Sequence, residues 1–286
     1  MKSEIVRPMH TTLRSNLIII KNRHDIEMMR RAGAVACDIL GKMRAAALPG
    51  VTTGELDELA RAELEKVGAR GMSKNYPTYK PGEGFPGHTC ISINEIVVHG
   101  IPGPRRLKEG DIVTLDLALK LDGYCSDTAT TVPVGQISPR LQKLLDVTRH
   151  ALDMAITHIR PGKRWSEIAR LMQHHVEQHG FNMVREFVGH GIGREMHEEP
   201  KVPNFVTAEQ LRADFTLRRG MTLAVEPMVV MGRREVELYP DGWTVYTVDH
   251  MPAAHFEHTI AVTDSGADIL TDGRPSPQLA GEASKT

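Results

Sequence analysis

A shift of 112 residues lays one stretch of this chain over another: Pro49-Gly50 falls on Pro161-Gly162, Gly68 on Gly180, Glu55 on Glu167, Leu56 on Ile168, Leu59 on Leu171 and Leu64 on Val176. Each stretch reads as a pair of helices. The first pair runs from about Asp25 to Ala47, with Ile26, Met29, Ala36, Leu40 and Met43 on one side, and then from after Thr53 to Gly68, with Leu56, Leu59 and Val67 inward. The second pair takes Ser138 as cap with Pro139 at the first helical position, stops before Pro161, and resumes with Ser166 as cap of a helix that stops at Gly180. The correspondence continues into strands. GDIVTLD places Asp116 six residues after Gly110, and GMTLAVE places Glu226 six after Gly220. Each acid ends an apolar strand and is answered by a second strand with its own acid, Asp127 eight residues before Gly135 and Glu257 nine before Gly266. Two related halves meeting near residue 136, each a helix pair plus antiparallel strands, make one pseudo-symmetric α+β domain.

That domain spans residues 18–270. Residues 1–17 read as a flexible N-terminal arm, and 271–286 as a polar tail rich in Pro, Ser and Gly. With 35 basic against 36 acidic residues, charge gives no case for nucleic acid or a membrane surface and favours a small or peptide ligand. The N-terminal segment holds a four-residue apolar run, too short for a signal-peptide core, and no segment approaches about 18 uninterrupted apolar residues, so a cytoplasmic protein is expected. Cys37, Cys90 and Cys125 are too few and too far apart for a disulfide framework or a zinc ribbon; all are expected reduced, with Cys37 in the core.

The four acids carry the chemistry. In VTLDLAL and LAVEPMVV they sit inside apolar runs, where an unpaired carboxylate costs several kcal/mol, and no Lys or Arg stands at a matching strand position. A shared cation is the cheaper explanation, and four carboxylates suffice for two divalent ions. FVGHGIGREMHEEP then adds His190 and His197, seven residues apart. Three glycines in five residues exclude a helix, and the spacing fits neither a zinc-protease helix nor a phosphate-binding loop, which leaves a glycine-permitted strand or turn. An oxygen-rich set with one imidazole suits Mn, Fe(II), Co or Zn in an open site, and such pairs activate water and polarise a carbonyl for hydrolysis.

VVHGIP with His99, the spacing of eleven from Asp116 to Asp127, GHGIGREMHEEP, VEPMV with Glu226 and FEHTI with Glu257 together resemble the type I methionine aminopeptidases of the creatinase-like "pita-bread" fold, over about Ile18 to Leu270. The resemblance implies that Asp116, Asp127 and Glu257 ligate one metal and that Asp127, His190, Glu226 and Glu257 ligate the other, with Asp127 and Glu257 bridging. It makes His99 and His197 catalytic without being ligands: His99 on the substrate backbone or leaving group, His197 on the scissile carbonyl and its developing oxyanion. Cys90, Trp243 and Phe85 fall on the methionine side-chain pocket. Met196 replaces an aromatic residue frequent in the family, and the loop NYPTYKPGEGFPGHTC is longer and richer in Gly and Pro than usual. The implied activity is removal of the initiator methionine from nascent chains at the ribosome exit when the second residue is small, by a monomer that requires no nucleic acid or membrane.

Rival readings have their own marks. A prolidase or Xaa-Pro aminopeptidase usually carries an extra N-terminal domain, whereas about twenty residues precede the first helix here. A type II enzyme inserts a helical subdomain for which the stretch from His197 to Glu226 is too short. A non-enzymatic binding protein of the same fold would have lost ligands, and all five are present.

Overall fold

The computed structural model describes residues 17–77 and 84–274. The expected arm, apart from Leu17, and residues 275–286 of the tail lie outside the described residues. The packed chain runs past Leu270: the Thr271 hydroxyl is buried between His258 Nδ1 (2.9 Å) and the Thr259 amide (3.2 Å), and Arg274 pairs with Asp268 and Asp272.

Four long helices carry the repeat: α1 (Arg23–Ala46), α2 (Thr53–Lys66), α3 (Pro139–His158) and α4 (Trp165–Gln178); α5 (Ala208–Arg212) is a short addition. The shift of 112 maps α2 onto α4 end to end and the last residue of α1 onto that of α3. Gly50 and Gly68 have φ of 93° and 67°, Gly162 and Gly180 of 88° and 82°. Each half needs the same two left-handed positions, one before and one after its second helix, and glycine reaches them without Cβ strain. Capping boxes start α1 (Asn22 with Asp25) and α2 (Thr52 with Glu55), and Ser138 caps α3 with Pro139 behind it.

Three local expectations are corrected. α4 begins at Trp165, so Ser166 lies inside it; the Ser166 amide (3.0 Å) and hydroxyl (2.6 Å) both donate to Asp214, a distant carboxylate that takes over the capping task. Val67 is 46% exposed, because α2 stops at Lys66 and Ala60 and Leu64 occupy the inward face. Cys37 is half-buried, whereas Cys90 and Cys125 are buried; all three thiols are free.

The main sheet has nine strands, ordered Arg70–Gly71, Ile112–Leu121, Tyr124–Pro133, Glu257–Val262, Thr222–Val225, Gly189–Gly191, Glu198–Val202, with Cys90–Ile93 also on Ile112–Leu121 and Ala267–Ile269 on Glu257–Val262. Every pairing in it is antiparallel. Strand residues of one parity face the helices. Val113, Leu115, Leu117 and Leu119 pack with α1 and α2, while Leu223, Val225, Ile260 and Val262 pack with α3 and α4. Both helix pairs therefore cover one face, and the alternating residues are left to the other. This is the expected α+β architecture of an antiparallel sheet under two helix pairs.

Candidate active site

Register alone puts the five expected ligands together. Cys90, Asp116, Ala129 and Glu257 lie side by side on four neighbouring strands, since Cys90 pairs with Asp116, Asp116 with Ala129 and Ala129 with Glu257. Asp127 is two residues from Ala129 on the same strand and so shares its face. Thr259, two residues beyond Glu257, pairs with Ala224, which pairs with His190; Glu226 is two residues beyond Ala224. Because side chains alternate with a period of two, all five project from the face opposite the helices, one from each of five successive positions across the sheet. The glycines around His190 serve close approach. A Cβ on Gly189 would lie 2.4 Å from the Ala224 carbonyl oxygen, and one on Gly191 2.2 Å from that of Glu199. His190 thus sits on a short strand within the sheet, and only His197 lies on the loop beyond it.

Donor atoms of Asp127, His190 and Glu257 lie within 4.8 Å of one another, all buried. His190 Nε2 is 3.7 Å from Asp127 Oδ2 and 3.6 Å from Glu226 Oε1, too far for hydrogen bonds and suited to groups arranged around a common centre. His190 Nδ1 is 2.9 Å from the Gly191 carbonyl oxygen. A carbonyl only accepts, so Nδ1 carries the proton and Nε2 presents its lone pair. Burial lowers the pKa of His190 to about 4, so the ring is neutral near pH 7. Burial raises Asp127 to about 7; burial and the neighbouring carboxylates push Asp116, Glu226 and Glu257 well above the usual carboxylate range. Asp127 Oδ1 and Glu257 Oε1 are buried with no hydrogen-bond partner. Four acids that repel one another, two oxygens without partners and one oriented imidazole fit divalent cations, which would supply the missing partner and the missing charge together.

His99 follows the strand Ile96–Val98 with φ of 57°, in the left-handed region, and its ring meets Phe187 edge-on at 5.4 Å. A Cβ on Gly100 would fall 2.3 Å from the Ile91 carbonyl oxygen, so the chain cannot relax there. Burial brings the pKa of His99 to about 4. His197 is exposed, and its ring stands 4.3 Å from that of His190, centroid to centroid. Surrounding protein, together with His190 and His99, holds its pKa well below that of an ordinary imidazole.

Phe85, Cys90 and Trp243 form one apolar cluster, with Phe85 edge-on to Trp243 at 5.3 Å. Since Cys90 pairs with Asp116, the cluster adjoins the carboxylates. Met196 packs in a neighbouring cluster with Ile192, Tyr124 and Cys125; Tyr76 borders both clusters.

Three features carry no sequence signal of their own. Tyr76 Oη lies 2.9 Å from His197 Nδ1. His255, 2% exposed, has both ring nitrogens without hydrogen-bond partners, and its Nε2 is 3.7 Å from Glu226 Oε2. Lys21 forms an ion pair with Glu198, whose other oxygen accepts from the amides of Arg194 (2.9 Å) and Glu195 (3.2 Å), which ties the loop before His197 to the start of the fold. His255 stands just outside FEHTI, two residues before Glu257, where nothing in the sequence sets it apart.

Residues 27–264 match the model of metallopeptidase family M24. The methionine aminopeptidase 1 of Bacillus subtilis is 44% identical over 255 residues, covering 89% of this chain and 99% of that protein. The crystal structure of a methionine aminopeptidase from Thermotoga maritima superposes with a TM-score of 0.84 at 41% identity, over 89% of this chain and 99% of that one. A prolidase from Pyrococcus horikoshii shares the fold at 21% identity and a TM-score of 0.71, with 90% of this chain covering 64% of that longer one. The chain belongs to metallopeptidase family M24 and, within it, to the methionine aminopeptidases.

Proposed function

We propose that this protein removes the N-terminal methionine from peptides and nascent chains whose second residue is small, as a divalent-metal hydrolase. The observation that carries the reading is the single row of five donors across the sheet with two buried oxygens left without partners. Asp116, Asp127 and Glu257 would hold one ion and Asp127, His190, Glu226 and Glu257 a second, with Asp127 and Glu257 shared. The chemistry such a pair supplies when bound is Lewis-acid activation of water and of the scissile carbonyl. Co, Mn, Fe(II) and Zn all suit four carboxylates and one imidazole.

The remaining work belongs to side chains. Phe85, Cys90 and Trp243 would hold the unbranched thioether of methionine, with Met196 beyond Tyr76 softening one wall. His197, neutral near pH 7, would donate a hydrogen bond to the carbonyl oxygen as negative charge develops there. His99, also neutral, would stand at the leaving nitrogen, where its fixed backbone leaves little room for a long second side chain. We place the reaction in the cytoplasm, on chains leaving the ribosome, and assign it to the monomer. The balance of 35 basic and 36 acidic residues supports a peptide ligand, and no helix among the described residues is long and apolar enough to cross a membrane.

The test is release of free methionine from Met-Gly and Met-Ala peptides by metal-stripped protein resupplied with Co, Mn, Fe(II) or Zn. Met-Leu and Lys-Ala peptides are expected to be poor substrates. Efficient cleavage of Met-Leu, or of any residue followed by proline, would place the activity with the prolidases instead.

A further inference from the structure

We propose that Tyr76 is a positioning residue that fixes the tautomer of His197, donating its phenolic hydrogen to Nδ1 so that Nε2 carries the ring proton for the substrate oxygen. The inference rests on the aminopeptidase reading and adds to it the reason His197 acts as a donor. A neutral imidazole has one N–H and one lone pair, and the partner at one nitrogen decides the state of the other. At His190 the partner is a backbone carbonyl oxygen 2.9 Å from Nδ1, so the proton sits on Nδ1 and Nε2 is bare. At His197 the partner of the same atom is a hydroxyl at 2.9 Å, which can give as well as accept. Two imidazoles 4.3 Å apart are therefore set for opposite tasks by what meets Nδ1: one presents a lone pair and the other a proton.

The assigned direction needs a protonated phenol held in place against Nδ1, and both conditions are met. Burial raises the pKa of Tyr76 above its ordinary value, so the phenol keeps its proton throughout. The tyrosine is held from both ends. Its amide donates to the Ser73 carbonyl oxygen at 2.9 Å, its carbonyl oxygen accepts from Phe85 at 2.9 Å, and its ring meets His197 edge-on at 5.5 Å. Because Nδ1 faces Tyr76, Nε2 is directed to the other side of the ring. Phe85 and Tyr76 both border the apolar cluster that would take the methionine side chain, so a filled pocket steadies the hydroxyl that orients His197.

Tyr76→Phe keeps the ring and removes only the hydroxyl. On a Met-Ala-led peptide kcat is expected to fall about tenfold, the scale of one lost neutral hydrogen bond, while KM and the bound-metal count stay within about twofold. In wild-type protein labelled with ¹⁵N-histidine, the His197 resonances, assigned by their loss in His197→Ala, are expected to show the Nε2–H tautomer, and in Tyr76→Phe a mixture. A wild-type His197 protonated on Nδ1 would overturn the proposal. So would an unchanged kcat in Tyr76→Phe, or a rise in KM with the tautomer unaltered, which would make Tyr76 a pocket wall alone. If wild-type protein releases no methionine, the aminopeptidase reading fails, and the tautomer measurement still decides the hydrogen bond.

Discussion

Asp127 and Glu257 differ from the other two acids in one respect: each keeps a carboxylate oxygen buried without a partner. An atom so placed costs about 1–3 kcal/mol unless something meets it, and the two residues with this defect are those assigned to bridge. Asp127→Asn and Glu257→Gln are therefore expected to lose most peptidase activity and one bound ion by elemental analysis while still folding. The metal-free variants should melt above metal-free wild type, because one of four mutually repelling acids is gone. Full activity with two ions retained would remove the bridging assignment. His197→Ala tests the complementary claim. It is expected to lower kcat at least about tenfold with an unchanged metal count, since its partner is charge that develops during reaction; recovery of activity at high metal concentration would make it a ligand instead. The acids were legible in the sequence because a carboxylate inside an apolar strand has few explanations. Tyr76 and His255 were not, because a tyrosine in a Gly- and Pro-rich loop and a histidine in a short strand are ordinary until the fold shows what they touch.

Elements were readable to the extent that they obey local rules. The cap read at Ser138 follows from short-range hydrogen bonding and marks a true helix start, whereas the structure puts the caps of α1 and α2 at Asn22 and Thr52, which the sequence reading does not name. Ser166 obeys the same rule on paper, but Asp214, 48 residues downstream, caps α4 from outside, and nothing in the sequence around Ser166 announces a carboxylate arriving from another segment. Glycines show the same divide within α1. A Cβ on Gly33 would lie 2.0 Å from the Leu270 carbonyl oxygen, whereas one on Gly41 meets nothing within 4 Å. Gly41→Ala should therefore raise stability by about 0.5–1 kcal/mol, the helix-propensity difference alone. Gly33→Ala gains the same propensity but must push α1 off the segment after Ala267–Ile269, and it is expected to lower the melting temperature clearly. Thermal denaturation of the two variants under one metal condition decides the matter; equal shifts of one sign would show that packing against Leu270 does not control this site.

At the scale of the molecule, duplication explains why one sheet serves two purposes. Each half contributes a helix pair to one face and acids to the other, and the strands Tyr124–Pro133 and Glu257–Val262 join the halves edge to edge, so ligands from both surround one space. The same arrangement makes stability depend on pH and metal together. Burial brings His99 and His190 to about 4 and His255 to about 3; below their unfolded values near 6.5 the unfolded chain takes up protons that the fold refuses, so their effect is to lower stability as pH falls. The four carboxylates have the opposite sign. With a folded value of about 7 for Asp127 and the others held well above the usual carboxylate range, against about 4 unfolded, they favour the fold at low pH and lose that contribution as pH rises through their folded values. The two effects oppose one another between about pH 4 and 6.5, but above about 6.5 the histidines are neutral in both states and the carboxylates act unopposed by them. Metal-free protein is thus expected to lose stability as pH rises from about 6.5 through the folded values of these acids, by about 1.4 kcal/mol per pH unit for each proton the fold retains and the unfolded chain does not. Divalent ions replace those protons and bind more tightly as pH rises, so the loaded protein should hold or gain stability across the same interval. Melting curves at fixed ionic strength, with and without saturating Mn or Co, test this directly. Parallel pH profiles for the two forms would mean that the four acids are not the groups that meet the metal.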